Sequence, residues 1–94
     1  MPRASWNDVV IADSETTQVV EGNHYFPPDS VNWQHFARTD LHTSCFWKGL
    51  ASYYDIVVDG KRYENGAWTY PSPKQAAEQI IDHVAFYSQV KITQ

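Results

Sequence analysis

Short apolar runs rich in β-branched and aromatic residues alternate with turn residues along most of the chain. The clearest run spans residues 52–58, and the Asp59-Gly60 pair that follows it is typical of a two-residue β-hairpin turn. Further strands are predicted, in chain order, at residues 9–12, 16–26, 43–47, 61–64 and 67–70. The pattern therefore predicts a domain built mainly from short antiparallel strands.

Three segments interrupt this pattern. Gly22-Asn23 lies inside the run 16–26 and predicts a bulge or a bend there. Asn65-Gly66 predicts a second turn, between the strands at 61–64 and 67–70. Residues 31–36 alternate between apolar and polar and fit either a strand or a short helical turn capped by Ser30.

The pattern changes to a helical one after residue 72. Ser72 is a suitable N-cap, and Pro73 stands where the first turn of a helix tolerates proline. Apolar residues then recur at helical spacing, at Ala76, Ala77, Ile80, Ile81 and Val84. This predicts one helix over residues 73–83, followed by a closing strand or pair of strands at 85–87 and 90–92. The predicted fold class is mainly β (α+β), with a single helix in the C-terminal half.

Length and composition limit the possibilities further. The chain has 94 residues, which predicts one domain over residues 1–94. Its 14 aromatic residues supply enough apolar area for a core without metals or disulfides. Cys45 is the only cysteine, so an intrachain disulfide or a four-cysteine zinc site is excluded, and a cytoplasmic location is expected. Neither a signal peptide nor a membrane-spanning run is recognisable.

Charge argues against nucleic acid as a partner. The net charge is −4, and the seven basic residues are scattered rather than clustered. The four histidines show no metal-ligand spacing, so neither a metal nor a cofactor is predicted. A homodimer is expected only because homodimers are common among soluble proteins.

Several motifs spread over nearly the whole chain resemble those of the domain of unknown function 427 family. They are Ala12-x-Ser14, EGNHYFP at 21–27, TSCFWKG at 43–49, ASYY at 51–54, VDG at 58–60, AWTYP at 67–71 and VAFY at 84–87. The family commonly has glycine where Asp8 stands and often proline where Phe46 stands.

The resemblance implies a β-tent fold, in which two antiparallel sheets lean together over a pocket, similar to methionine sulfoxide reductase B and the cereblon ligand-binding domain. The family is sometimes labelled nucleotidyltransferase-like. No Gly-Ser followed by an Asp-x-Asp pair, and no glycine-rich phosphate loop, supports that label in this chain.

Cys45 and Lys48 form the sharpest candidate for chemistry. An ammonium near a thiol lowers the thiol pKa and makes it a nucleophile. The two side chains meet only if the strand ends at Trp47 and turns at Gly49. The competing interpretation is a buried, inert cysteine, which is a common fate of this residue. Both positions lie in the family's core motif, which favours a role in the site. His24 and His42 are considered as bases for Cys45.

A ligand pocket is the second prediction. If residues 20–26 form one strand, Glu21, Asn23 and Tyr25 share one face. With Lys48, these residues would supply polar anchors in a pocket walled by aromatic rings, for which the candidates are Trp33, Trp47, Tyr53, Trp68 and Tyr70. The alternatives are a solvent-exposed polar face and a core made of the rings.

Three functions remain open at this stage. The first is a module that binds a small molecule of unknown identity in the aromatic pocket. The second is a thiol-dependent enzyme in which Cys45 acts with Lys48. The third is a protein-interaction module that uses exposed aromatic residues.

Overall fold

A computed structural model describes residues 1–94 and has nine strands and no α-helix. The strands are β1 (Arg3–Trp6), β2 (Val9–Asp13), β3 (Gln18–Val20), β4 (Asn23–Tyr25), β5 (Phe36–Cys45), β6 (Gly49–Val58), β7 (Lys61–Thr69), β8 (Val84–Phe86) and β9 (Lys91–Thr93). Short 3-10 segments occur at Pro28–Ser30, Trp33–His35 and Gln75–Ile80. The prediction of a mainly β fold is confirmed.

All neighbouring strands pair in antiparallel fashion, in three sheets rather than the two expected. The largest sheet has the order β5-β6-β7-β8, a second has the order β2-β1-β9, and β3 and β4 form a two-stranded hairpin. Phe26 extends this hairpin to the edge of the largest sheet, where its backbone exchanges two hydrogen bonds with that of Val84. No helix of the structure is long and apolar enough to cross a bilayer.

Two-residue turns with positive φ at both positions close several hairpins, as the right-handed twist of paired strands favours. The predicted turn at Asp59-Gly60 has this conformation, with φ of 50° and 78°. Asn7 and Asp8 have it too, with φ of 51° and 63°. Aspartate, at position 8, is one of the side chains that tolerate this backbone.

Two predictions about turns were wrong. Residues 16–26 are not one strand, because Glu21 and Gly22 take φ of 54° and 80° and reverse the chain between β3 and β4. Asn65-Gly66 is not a turn, because β7 continues through it. The register against β6 shifts there, and the Asn65 N–H donates to the Asp55 carboxylate at 2.7 Å. The spare residues therefore form a bulge.

The predicted helix over residues 73–83 was also wrong. Only a 3-10 segment, Gln75–Ile80, forms there, and its path is broken at Ala77, where φ is −125°. Ala77 and Ile80 are the buried residues of this segment. The helical spacing of apolar residues in the sequence therefore reflects the burial of these two positions and not a regular helix. The rest of the predicted helix is extended instead, because Ile81 forms a β-bridge with Tyr70 and β8 begins at Val84.

The largest sheet buries side chains on both faces. The Trp68 face carries Ala51, Tyr53, Trp68 and Ala85, and it packs against Tyr25, Ala77 and Ile80. The Tyr54 face carries Ser52, Tyr54, Ala67, Thr69, Val84 and Phe86, and its apolar members pack against Ala4, Ile11 and Ala12 of the second sheet. Any site on one face is therefore separated from the other face by the thickness of the sheet.

Candidate functional site

The turn between β5 and β6 is held rigidly by a neighbouring segment. Cys45 is the last residue of β5 and pairs with Gly49, the first residue of β6. Gly49 has φ of 114°, and a side chain there would meet the backbone N of Lys74 at 3.4 Å. The Lys74 N–H donates to the Lys48 carbonyl at 2.8 Å, and its ammonium donates to the Phe46 carbonyl at 2.6 Å. This tight packing fixes the turn and aims Lys48 inward.

Lys48 carries a buried ammonium, which is rare unless the charge is paired. The residue is only 5 % exposed, and its Nζ donates to the Glu21 carboxylate. Nζ also lies 4.7 Å from the ring centroid of Trp47 and 5.8 Å from that of Tyr70. Burial alone would lower the pKa of Lys48, but the hydrogen bonds to Glu21 and Cys45 raise it to about 12. The ammonium therefore stays charged at neutral pH.

Glu21 reaches Lys48 from the tip of the β3–β4 hairpin. Its side chain is 53 % exposed, so it covers the ammonium from the solvent side. The hydrogen bond from Lys48 is the largest cause that lowers the pKa of Glu21, and a hydrogen bond from Trp47 adds to it. The carboxylate is thus a solvent-facing cap on a buried cation.

The Cys45 thiol is free and only partly buried. Desolvation raises its pKa, but the backbone N–H groups of Lys48 and Trp47 donate toward the sulfur and lower it. The Lys48 ammonium lowers it further through a hydrogen bond and its charge, and the net shift of the pKa is downward. The turn therefore lowers the pKa of a thiol that lies within three residues of the ammonium.

Aromatic rings pack closely beneath this polar group. The Trp68 indole N–H donates to the Tyr25 hydroxyl at 3.1 Å, and the Trp68 ring centroid lies 4.5 Å from that of Tyr87. The Tyr53 and Tyr87 hydroxyls are 3.4 Å apart. Burial raises the pKa of Tyr70 to about 12, so its hydroxyl is neutral at physiological pH. These rings form a floor of core packing and leave no cavity between them.

Residues 2–94 match the family model described as "Domain of unknown function (DUF427)". The chain belongs to the DUF427 family. The match covers almost the whole chain, so the fold described above is that of a DUF427 domain. No curated protein matches the chain. The family's description assigns no activity, so any function has to be argued from the site.

The DUF427 structure gathers most of the predicted site residues around the β5–β6 turn, but Trp33, a predicted wall of the pocket, lies at the cavity on the other face of the largest sheet. Those gathered are Glu21, Tyr25, Cys45, Trp47, Lys48, Tyr53, Trp68 and Tyr70. Asn23 shares a face of β4 with Tyr25, as predicted, but its side chain makes no hydrogen bond to the residues of the turn. The prediction that Glu21 and Asn23 share a strand face was wrong, since Glu21 lies in the turn.

The histidines lie away from the thiol of this DUF427 domain. His42 hydrogen-bonds Ser52 and the Ala51 carbonyl, and it projects from the opposite side of β5 to Cys45. His24 hydrogen-bonds Thr17 at 2.7 Å. Neither is placed to act as a base for the thiol. No three His, Cys, Asp or Glu side chains are grouped so that they could hold a metal ion.

The one cavity of the DUF427 domain lies elsewhere, in the Tyr54 face. It has a volume of about 240 Å³ and is lined by Pro28, Trp33, Arg38, Tyr54, Thr69, Pro71 and Asp82. Only Trp33 among these was predicted as a site residue. Tyr54, Thr69 and Pro71 belong to the motifs at 51–54 and 67–71, but the lining residues come from distant parts of the chain, so no single motif points to this cavity.

Proposed function

We propose that the β5–β6 turn is a reactive-thiol site, in which Cys45 attacks a small electrophilic molecule that Lys48 helps to bind. The observation that carries the proposal is the buried Lys48 ammonium beside a partly exposed thiol. Burying a lysine is unfavourable, and a surface residue would serve the fold as well. Stabilising a thiolate gives this arrangement a purpose.

The geometry also suits the reaction. Cys45 ends a strand whose partner begins at Gly49, so the backbone around the sulfur is held by the sheet. The backbone N–H groups of Trp47 and Lys48, which the turn holds in place, lower the pKa of Cys45. Fixed donors of this kind need no rearrangement when the thiolate forms, which is the feature that makes preorganised sites effective.

Binding of a small anion without reaction is the second candidate, and the position of Glu21 favours it. The carboxylate lies on the solvent side of Lys48 and is more than half exposed, whereas the ammonium is almost fully buried. A ligand carboxylate could replace it by a movement of the hairpin tip. The rings of Trp47 and Tyr70 would then flank the anion site, as the prediction of an aromatic-lined pocket requires.

The proposal also covers the location of the domain and its partners. We place the domain in the cytoplasm, because its single cysteine is unpaired. The β-tent arrangement, the possible homodimer and the use as an interaction module stay predictions. Phe46, which is 88 % exposed at the turn, supports the last of these, since it stands beside the thiol as an apolar contact point.

The test is the rate at which iodoacetamide alkylates Cys45 as a function of pH, followed by intact mass. The signal has one source, because the chain has one cysteine. We expect a midpoint below the free-thiol value of about 8.5, and a shift upward in Lys48→Met. Lys61→Met, in the distant β6–β7 hairpin, is the matched control and should leave the midpoint unchanged.

A midpoint at or above that of the urea-unfolded chain would refute the thiol proposal. The anion-binding candidate has its own readout. In Glu21→Gln the ammonium loses its carboxylate, so acetate should raise the melting temperature of this variant more than that of the wild type. Equal responses to acetate would exclude the second candidate.

A further inference from the structure

The cavity in the Tyr54 face is separate from the thiol site. Tyr54 and Thr69 project from the largest sheet on the side opposite to Tyr53 and Trp68, because neighbouring residues of a strand point to opposite faces. The cavity is therefore on the other side of the sheet from Cys45. Its contents would not touch any group that the proposed thiol chemistry uses.

Two unpaired charges of opposite sign line the cavity. Arg38 lies in β5 beside Tyr54, and Asp82 follows the bridge between Ile81 and Tyr70. The ion pairs of the structure are formed by other residues, and neither of these side chains takes part in one. Neither side chain makes a hydrogen bond within the protein. Both charges are thus available to a ligand in the cavity.

The wall of the cavity also contains a buried hydroxyl, that of Thr69. Thr69 lines the same cavity, is only 3 % exposed, and its Oγ1 is the one buried side-chain polar atom without a hydrogen-bond partner. A buried polar group without a partner is unfavourable and uncommon in native proteins. Oγ1 has less than 1 Å² of accessible surface, so a ligand in the cavity does not reach it, and the cost of the unpaired hydroxyl falls on the fold.

The remaining walls are apolar and held in place. The Trp33 indole N–H donates to the Pro28 carbonyl at 2.9 Å, which fixes the ring across the 3-10 segments. The Trp33 and Tyr54 ring centroids are 5.4 Å apart with an interplanar angle of 60°. These rings present flat apolar surface to the cavity. Pro71 also lines the cavity, and its ring fixes the backbone φ of that residue.

We propose that this cavity binds a free amino acid with an aromatic side chain. The carboxylate would pair with Arg38, the amino group with Asp82, and the ring would lie against Trp33 and Tyr54. The cavity volume of about 240 Å³ is below the roughly 300 Å³ at which pockets for drug-sized molecules begin, so the cavity suits a smaller ligand such as a single amino acid.

The experiment is a titration of ¹⁵N-labelled protein followed by NMR, with the Trp33 indole N–H and the Thr69 amide as reporters. L-phenylalanine is the full probe. Phenylacetate lacks its amino group, and phenethylamine lacks its carboxylate. We expect saturable shifts with L-phenylalanine, and at least tenfold weaker binding of each partial probe, because each loses one charged contact.

Variants assign the contacts. Arg38→Gln should weaken the binding of L-phenylalanine and phenylacetate but leave that of phenethylamine unchanged. Asp82→Asn should weaken the binding of L-phenylalanine and phenethylamine but leave that of phenylacetate unchanged. Thr69→Val, which changes an atom with no accessible surface, should bind the three probes like the wild type. Arg3→Gln, an exposed arginine of the second sheet, is the matched control and should bind like the wild type.

The absence of saturable shifts with L-phenylalanine up to tens of millimolar would overturn the proposal. Equal affinity for all three probes would overturn it as well, since the charges would then play no part. Cys45→Ser should bind L-phenylalanine as tightly as the wild type. The outcome is therefore independent of whether the thiol site reacts.

Discussion

Replacing Thr69 by valine is expected to stabilise the domain, although most core substitutions destabilise. Valine has nearly the same shape as threonine and the same preference for strands. Thr69 lies in the centre of the largest sheet, between Ser52 of β6 and Val84 of β8, and its Oγ1 has no partner. The substitution removes a buried hydroxyl without leaving another polar group unpaired.

The size of the effect follows from the burial of that atom. A hydroxyl without a compensating hydrogen bond costs about 1–3 kcal/mol on protein mutational scales. Thr69 is 3 % exposed, so nearly the whole cost applies in the folded state and none in the unfolded chain. We therefore expect the free energy of unfolding to rise by about 1–3 kcal/mol, with roughly 4–8 °C in melting temperature for each kcal/mol.

Urea unfolding followed by tryptophan fluorescence gives the free energy, and calorimetry gives the melting temperature. Thr43→Val is the matched control in the same sheet, because the Thr43 hydroxyl is hydrogen-bonded to Tyr53 Oη at 2.8 Å. That variant should lose about 1 kcal/mol. If Thr69→Val is destabilised like Thr43→Val, the Thr69 hydroxyl is satisfied in the folded protein and the reasoning about its unpaired state is refuted.

Two further predictions concern the stability of the domain at acid pH and the close packing of Gly66 against Tyr63. Because Lys48 holds the folded-state pKa of Glu21 below its usual 4.5, this pair contributes stability that is fully present above pH 4.5 and is lost as pH falls through the folded pKa. Urea midpoints between pH 6 and pH 2 should fall less steeply in Glu21→Gln than in the wild type. Gly66→Ala should cost about 1–3 kcal/mol, because its Cβ would lie 2.6 Å from the Tyr63 ring. The double variant with Tyr63→Leu should recover part of this loss, and a fully stable Gly66→Ala would contradict the packing described here.

Local patterns determined the strands and some of the turns. β-branched and aromatic runs predict strands because such side chains suit a pleated, half-buried surface. Asp59-Gly60 predicts its hairpin because the turn needs positive φ at both positions, which these residues tolerate. The strand expected to end at Trp47 ends at Cys45, and Gly49 already begins β6, but the turn between them still brings Cys45 and Lys48 together.

Local patterns failed where tertiary contacts decide the backbone. Glu21-Gly22 is an uncommon pair for a tight hairpin, yet it forms one because Glu21 thereby reaches the Lys48 ammonium. The helical spacing after residue 73 reflects two buried positions, Ala77 and Ile80, that fill the Trp68 face from an irregular segment. Neither result follows from propensity, since burial against a distant sheet outweighs a preference of less than about 1 kcal/mol per residue.

The sequence by itself determined the family, the mainly β character and the identity of the thiol and its neighbouring lysine. Only the tertiary structure decided that Lys48 is buried and capped by Glu21, and that the one cavity lies on the opposite face of the sheet. The physical reason is that strand and turn preferences act over a few neighbouring residues. Which faces meet, and which polar groups are left without partners, depends on how distant segments share the space of one core.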